Sequence, residues 1–270
     1  MNKMFTAVAT LQLVKAGKLA LDDPIGKHLS DYPNKDLASK VTVRHLLTHT
    51  GGTGDIFGPE FTKNRLNLRE HSDYVELYGS RALTHEPGAL HRYSNYGYIL
   101  LGALIERVSG MSYRDYVRSR VLQPAGMKST DSLPETENVP NRVTGYMRRN
   151  AAWVSNADTL PWSGTAAGGG YSTVGDLFRF AQALESGKLI SKMMLADATR
   201  SQVQQYGYGF GVQGEGRLRS YGHAGGAPGM NGDLRVFPQL GFVLVGLSNL
   251  DPPAASRLVD FFALRMPATP

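Results

Sequence analysis

The sequence predicts an α+β fold in which helices come first and an antiparallel sheet follows. Up to about residue 200, apolar residues recur at helical spacing in segments that end at Gly or Pro. After Gln204, four short apolar runs follow one another and are separated by Gly-rich turns. A last segment with helical spacing closes the chain. This order is typical of a mostly helical region set on an antiparallel sheet that is flanked by helices.

The first helix is predicted over residues 4–14, where apolar residues cover nearly every side, so it should lie inside the protein. Lys15-Ala16-Gly17 supplies a basic last turn and a Gly stop. Further helices are predicted over 43–47 with Thr42 as cap, 98–109 ended by Gly110, 113–122 stopped by Pro124, 174–184 capped by Thr173, and 254–266.

The strands of the sheet should form a meander, because each run is short and the next begins after a tight turn. Residues 51–67 are dotted with glycine and should form a loop over a site. Residues 131–165 lack periodicity and should form one long loop. The predicted strands are 206–212, 218–221, 234–237 and 242–247.

Composition excludes several classes of function. The chain has 270 residues, a formal charge of +6 and no cysteine, which removes disulfides, thiol nucleophiles and thiolate metal sites. Positive charge is diffuse, with Arg148-Arg149 as the longest basic run, so no nucleic-acid partner is expected. No run of 18 apolar residues occurs, so no membrane span is expected. Residues 1–14 imitate a signal peptide but fit a buried helix better, because no A-x-A-like cleavage site follows.

Motifs for other chemistries are weak. His45 and His49 are four residues apart, but a zincin Glu is absent and helix packing or capping explains the pair better than a metal. Gly52-Thr53-Gly54 and Gly168-Gly169-Gly170 do not match a nucleotide-binding loop. No G-x-S-x-G nucleophile elbow occurs, which argues against an α/β-hydrolase. We therefore expect neither a metal nor a cofactor.

A dispersed constellation remains, made of Lys3, Tyr93-Ser94-Asn95 and His223-Ala224-Gly225. Lys3 opens the first, buried helix. Tyr93 precedes an apolar helix, and His223 ends a predicted strand before a Gly-rich run. Two of these pieces also occur elsewhere: Tyr32-Pro33-Asn34 fits the Y-x-N pattern, and Lys15-Ala16-Gly17 and His49-Thr50-Gly51 fit the pattern of His223-Ala224-Gly225. The order of the three motifs along the chain, and the predicted elements that carry them, distinguish this set from the chance matches.

With these motifs, the sequence resembles the serine β-lactamase-related hydrolases along almost its whole length. That family includes class C β-lactamases, D-Ala-D-Ala peptidases of the same type and family VIII carboxylesterases. The stretches that also resemble it are 17–24, 43–50, 97–110 and 169–177. The resemblance implies a β-lactamase/penicillin-binding-protein-like fold.

The resemblance also implies roles for the residues that match. Lys3 matches the lysine of an S-x-x-K motif, whose serine attacks a carbonyl and is acylated. Tyr93 matches a tyrosine that shares the proton transfers, and Asn95 an asparagine that binds the substrate. His223 belongs to the catalytic strand motif, with Gly225 beside it. The N–H of Gly226 matches one oxyanion donor. Ser94 and Ser172 are poor substitute nucleophiles, because neither has a lysine at the right spacing.

The chain departs from the pattern because it contains no S-x-x-K; the serine would fall directly before Met1. The family's first helix and first sheet strands would also precede Met1, as would any signal peptide, so the compartment stays open. A late start or a fragment is favoured over a form without the nucleophile. We expect residues 1–270 to be inactive by themselves and able to self-associate through an unpaired sheet edge.

Two regions and one activity follow from the resemblance. Residues 1–20 and 201–270 should form a sheet-plus-helix region and residues 21–200 a mainly helical one, acting together as one catalytic unit. The expected activity is acyl-enzyme hydrolysis of small esters or amides, with carboxylesterase-like substrates favoured. A non-catalytic homologue that binds a peptidoglycan-like or acyl ligand is the first alternative. A D-Ala-D-Ala peptidase or weak β-lactamase, acting on an amide or a β-lactam, is the second.

Overall fold

A computed structural model describes residues 1–267 of the chain. Its α-helices are α1 (Asn2–Lys15), α2 (Lys35–Lys40), α3 (Val43–Leu47), α4 (Pro59–Asn64), α5 (His71–Tyr78), α6 (Asn95–Ser109), α7 (Tyr113–Val117), α8 (Gln123–Ala125), α9 (Val174–Glu185), α10 (Lys192–Ala198) and α11 (Ala254–Ala263). Its strands are β1 (Tyr146–Arg149), β2 (Ala152–Ser155), β3 (Gly211–Gln213), β4 (Ser220–Ala227), β5 (Met230–Phe237) and β6 (Phe242–Ser248).

The main sheet is an antiparallel meander in the order β3-β4-β5-β6, followed by α11, so the predicted α+β order is confirmed. The predicted first strand, 206–212, is wrong over most of its length. Gly207 N donates to Phe210 O at 2.7 Å, and Gly209 has a φ of 78°, so the chain turns here. A Cβ on Gly209 would lie 2.5 Å from the Cβ of Ala7, which shows how closely this turn packs against α1.

Helix α1 is buried on nearly every side, as predicted, and lies in the hydrophobic core with α6 and α9. Thr42 caps α3 as expected, and Thr173 caps α9. The segment after α7 differs from the prediction. A π-helical turn over Arg118–Leu122 leads into α8, which carries Pro124. Pro124 therefore does not stop the helical segment, and Gly126 with a φ of 76° ends it.

The predicted long loop 131–165 contains a hairpin, β1-β2. Asn150 and Ala151 form its two-residue turn with φ of 49° and 63°. Such a turn favours Asn-Gly, and alanine at a positive φ hides the signal from a sequence reading. Helices α2, α5 and α10 were not predicted, and α4 interrupts the predicted loop 51–67. Each is eight residues or shorter, too short for a clear period.

Helices cover both faces of the main sheet. On one face, Tyr221 donates a hydrogen bond to Glu185 of α9, and a Cβ on Gly232 would meet the side chain of Met1. On the other face, Arg235 pairs with Asp260 of α11 at 2.7 Å. Since strand side chains alternate between faces, odd-numbered residues of β4 such as His223 and Gly225 face α1.

Two further features bear on interactions of the surface. Within residues 1–267, no helix has the length and apolar character needed to cross a membrane. Strand β6 pairs with β5 on one side in the described part of the chain. Helix α11 exposes Leu258, Phe261 and Phe262, and Leu264, which follows the helix, is also exposed. Self-association at this edge stays a prediction.

Candidate active site

Lys3 lies in the first turn of α1 and is 3% exposed. Its Nζ donates to Asn95 Oδ1 at 2.8 Å and to the carbonyl oxygen of Ala167. The turn that carries Ala167 is itself fixed, because Ala166 O accepts a hydrogen bond from Thr6 of α1 at 2.7 Å. Both partners of the amine are therefore held by other structure, and the position of Nζ is determined by the fold.

The environment of Lys3 favours an uncharged amine. Burial lowers the pKa of Lys3 to about 7, even though the negative charge of Asp55 acts in the opposite direction. The positive end of the α1 dipole also disfavours an ammonium group there. A neutral amine has two N–H groups, which match its two acceptors, and one free lone pair. Lys3 can therefore accept a proton from a hydroxyl near neutral pH.

Asp55 orients Asn95, and the sequence reading missed it. Its carboxylate accepts the backbone N–H of Asn95 at 3.0 Å and the Nδ2 amide of Asn95 at 3.2 Å. Because Asp55 accepts only, the amide NH₂ of Asn95 faces it and the amide oxygen faces Lys3. Asp55 lies in the part of the predicted loop 51–67 that precedes α4. Nothing in its local sequence distinguishes it from other loop aspartates.

The two serines weighed as substitute nucleophiles have structural partners. Ser94 is 6% exposed, accepts the N–H of Gly97 as the cap of α6 and donates to Gly54 O. Ser172 Oγ lies 2.8 Å from Thr130 Oγ1. Neither has a lysine amine as hydrogen-bond partner in the described part of the chain.

Tyr93 lies over Lys3, with the Lys3 Nζ 4.8 Å from the ring centroid. The residue is 45% exposed, and among residues 1–267 no protein group hydrogen-bonds to its hydroxyl. Desolvation of this hydroxyl, together with the negative charge of Asp55, raises its pKa above the ordinary value. Tyr93 therefore keeps its proton at neutral pH and can donate it.

Strand β4 forms the opposite wall. The rings of His223 and Tyr93 are 6.3 Å apart between centroids, and a Cβ on Gly225 would lie 2.9 Å from the backbone nitrogen of Met1. Gly226 cannot carry a side chain without conflict, since its Cβ would lie 2.4 Å from Pro252 Cγ. Both ring nitrogens of His223 already have protein partners, Tyr206 and the carbonyl of Ala224.

The structure thus brings together four of the residues that the sequence selected, and Gly225 lies beside Met1, while the Cβ position of Gly226 faces Pro252 on the other side of β4. Lys3 and Asn95 are hydrogen-bonded, Tyr93 covers Lys3, and His223 faces Tyr93. Besides Asp55, the sequence reading missed His49 and Tyr206. Their signals were present but misassigned: His49 was weighed as half of a metal pair, and Tyr206 as the start of a strand. His45 instead completes the capping box of α3, and His49 leaves the helix with a φ of 56°.

Asn231 fixes the β4 wall from behind. Its Nδ2 donates to Gly225 O at 2.7 Å, while its Oδ1 accepts the N–H groups of Ala255 and Ser256 at 2.7 and 3.0 Å. It therefore caps α11, whose own N-cap residue Pro253 offers no side-chain hydrogen bond.

Replacing Asn231 by alanine should lower the free energy of unfolding by about 2–3 kcal/mol, because a helix cap and a buried carbonyl both lose their partner. Urea unfolding of residues 1–270 measures this loss. Asn249→Ala is the matched control, since the Asn249 side chain donates a single hydrogen bond, to Thr144 O, and this bond is exposed to solvent. Equal losses in both variants would contradict the assigned role of Asn231.

The sequence and the fold are similar to those of known proteins. Residues 1–266 match the family model described as Beta-lactamase. Penicillin-binding protein 4* of Bacillus subtilis (strain 168) is 30% identical over 277 residues, an alignment that covers 92% of this chain and 59% of that protein. The chain thus spans 59% of the length of each of the first two curated relatives that it matches.

Two solved structures are similar to this one over nearly the whole chain. A penicillin binding protein from Bacillus halodurans has a TM-score of 0.88 and 30% identity, covering 97% of this chain and 84% of that one. A D-stereospecific amidohydrolase from Streptomyces sp. has a TM-score of 0.81 and 29% identity, covering 96% and 83%. The fold is therefore the β-lactamase/penicillin-binding-protein-like fold that the resemblance implied.

Proposed function

The chain belongs to the beta-lactamase family of serine hydrolases and their relatives, and from that membership and the cleft geometry we propose that it carries the acid–base and binding groups of an acyl-enzyme hydrolase for small amides and esters. The observation that carries the proposal is the buried Lys3 amine, held by Asn95 Oδ1 and Ala167 O with a pKa of about 7.

The proposed nucleophile is a serine directly before Met1, three residues ahead of Lys3. That position lies at the N-terminus of α1, beside Gly225 of β4, as the closeness of the Met1 nitrogen shows. A serine there would stand one helical turn from Lys3 on the same face of the helix. The positive helix end and the neighbouring strand backbone are suited to an oxyanion.

Lys3 and Tyr93 divide the proton transfers. Neutral Lys3 accepts the serine proton as the hydroxyl attacks the carbonyl carbon. Tyr93, which keeps its proton because its pKa is raised, donates to the leaving amine or alkoxide. Protonated Lys3 passes the serine proton to the Tyr93 oxygen, which restores both groups. Water then attacks the acyl carbonyl and gives one proton to Lys3; the acid is released, and this proton returns to the serine oxygen. Asn95 offers its amide to the substrate, and the N–H of Gly226 is the proposed oxyanion donor on β4.

The catalytic unit draws on the whole chain. Lys3 comes from the N-terminal segment 1–20, Tyr93 and Asn95 from the mainly helical segment 21–200, and His223 from 201–270. Contacts among these residues support the proposal that the two regions act as one unit. Within this class we propose carboxylesterase-like substrates first and small amides second. The similarity to a D-stereospecific amidohydrolase supports the amides.

A comparison of three proteins tests the proposal. They are residues 1–270, the same chain extended upstream with a serine directly before Met1, and that extended chain with alanine in place of this serine. Each is incubated with a fluorophosphonate probe and weighed intact by mass spectrometry. Turnover is then measured with a p-nitrophenyl ester, a D-amino acid amide and a chromogenic β-lactam.

We expect a single adduct and turnover with the serine-bearing chain alone. An adduct on residues 1–270 would place the nucleophile inside this sequence, and peptide mapping would name it. Saturable substrate binding by the serine-bearing chain without adduct or turnover would instead support a non-catalytic binding protein. Preference for the β-lactam or the amide over the ester would overturn the ester-first order.

A further inference from the structure

An unbroken series of hydrogen bonds joins the two walls of the cleft behind Tyr93. It starts at the backbone N–H of Ser94, which points to His49 Nδ1 at 3.2 Å. His49 Nε2 lies 3.1 Å from the Tyr206 hydroxyl, and the same hydroxyl lies 3.1 Å from His223 Nε2. His223 Nδ1 ends the series at the carbonyl oxygen of Ala224. We name this series the cross-cleft chain.

The Ser94 end determines the state of His49. A backbone N–H can only donate, so His49 Nδ1 must be an acceptor without a proton. His49 is therefore neutral and carries its proton on Nε2. Because Nε2 faces the Tyr206 hydroxyl, His49 donates to the oxygen of Tyr206. The residue is 2% exposed, and water does not compete for these positions.

The Ala224 end determines the state of His223. A carbonyl oxygen can only accept, so His223 Nδ1 must carry a proton. Burial, followed by the positive charges of the chain's amino group and Lys3, holds the pKa of His223 well below its ordinary value, so the ring is neutral. Its Nε2 is then a bare acceptor. Free neutral histidine has its proton mostly on Nε2, so the neighbours impose the opposite tautomer here.

Tyr206 completes the series, since its oxygen accepts from His49 and its proton goes to His223 Nε2. Every donor then has one acceptor, and the direction deduced from one end agrees with that deduced from the other. Tyr98 donates its own proton to Leu47 O at 3.0 Å, and its oxygen is a second acceptor that the Tyr206 hydroxyl can reach. Lys3, Tyr93, Tyr98 and His91 surround the cross-cleft chain, and below about pH 7, where Lys3 is protonated, its charge disfavours a second proton on either imidazole.

We propose that His49 and Tyr206 are positioning residues that hold His223 as a neutral Nδ1–H imidazole and tie β4 to the Tyr93-Ser94-Asn95 segment. His223 then takes no part in proton transfer, although its motif suggested a catalytic role, and Lys3 is left as the proton acceptor of the cleft. The tautomer of His49 follows from its hydrogen bonds and that of His223 from its hydrogen bonds together with its burial, whereas the effect on turnover rests on the proposed function.

Nitrogen-15 NMR of histidine-labelled residues 1–270 tests the tautomers without any activity. We expect a protonated Nε2 and a bare Nδ1 for His49, and the reverse for His223. A protonated Nε2 on His223, or a protonated Nδ1 on His49, would overturn the proposal. His49→Gln and His223→Gln assign the two sets of signals.

Tyr206→Phe tests the middle of the chain. It should speed solvent exchange of the His49 Nε2 proton about tenfold, because that proton loses its acceptor, and shift the His223 Nε2 resonance. Tyr208→Phe is the control, since Tyr208 is buried two residues away and its hydroxyl contacts Arg44. Unchanged exchange in Tyr206→Phe, or an equal effect in Tyr208→Phe, would contradict the proposal.

In the serine-bearing chain, Tyr206→Phe should lower kcat/KM about tenfold, while Tyr208→Phe changes it less than about twofold. If the serine-bearing protein proves inactive, the proposed function fails. The NMR measurement of the two tautomers still tests whether the hydrogen bonds of the cross-cleft chain exist. Turnover unaffected by Tyr206→Phe, with the tautomers as expected, would remove the catalytic significance of the positioning.

Discussion

Replacing Lys3 by methionine in the serine-bearing chain should lower kcat/KM about 10³-fold, within the range for loss of a general base. Methionine fills similar space in α1 but has no lone pair for the serine proton. The loss should appear in kcat more than in KM, because the amine acts on the reacting hydroxyl and Asn95 is left to bind substrate. Steady-state kinetics with the p-nitrophenyl ester measure both constants.

The pH dependence identifies the same residue. Activity of the serine-bearing chain should fall about tenfold for each pH unit below about 7, since the base must be neutral and the pKa of Lys3 is about 7. Asp55→Asn should move this fall in activity to lower pH, because the negative charge of Asp55 raises the pKa of Lys3. A rise in activity centred near pH 10 would contradict a neutral Lys3.

Folding stability reports on Lys3 even in residues 1–270. Unfolded Lys3 keeps its proton up to pH 10.5, whereas folded Lys3 loses it at about 7. Between these values the unfolded state binds more protons, so stability rises with pH, by about 1.4 kcal/mol per unit. Lys3→Met should lose this rise, and Lys15→Met, at the exposed end of α1, should keep it. Urea unfolding at pH 8.5, 9 and 9.5 separates the two variants; lower pH is avoided because the Met1 amino group, whose pKa burial lowers from 8.0 to about 5, adds to the rise up to about pH 8.

Replacing Tyr93 by phenylalanine should lower kcat about 10²-fold in the serine-bearing chain, as expected for loss of a positioned proton donor. The substitution removes only the hydroxyl and keeps the ring contact with Lys3 and the packing against His49, whose centroid is 4.2 Å away. Stability should therefore change little. The effect should be larger for amides than for activated esters, because an amine leaving group needs the proton more.

Tyr146→Phe is the matched control for Tyr93→Phe, since Tyr146 is similarly exposed and lies on β1. It should leave kcat and KM unchanged. Near-normal turnover of Tyr93→Phe with both substrates would remove Tyr93 from the proton transfers. An equal loss in both variants would point to a general effect of tyrosine removal instead.

The spacing of apolar residues predicted helices and strands well where the element is long and mostly apolar. The apolar run of α1, the helix α6 with its Gly stop, and strand β6 were predicted close to their observed positions. The predicted strands 218–221 and 234–237 cover only two residues of β4 and four of β5, each of which is eight residues long. Short or unusually built elements were not predicted. Helix α5 spans eight residues, and the β1-β2 turn uses Ala151 at a positive φ, so neither left a periodic or turn signal.

The candidate site shows the same division. The sequence by itself determined the order of elements, the absence of thiol chemistry and the family motifs around Lys3, Tyr93 and His223, because these depend on residue type and near spacing. Only the tertiary structure decided what surrounds them. The two partners of Lys3 lie 92 and 164 positions along the chain. No local pattern encodes such a contact; it exists because α1, α6 and the turn 165–168 pack into one core, and the resulting loss of water is what lowers the pKa of Lys3.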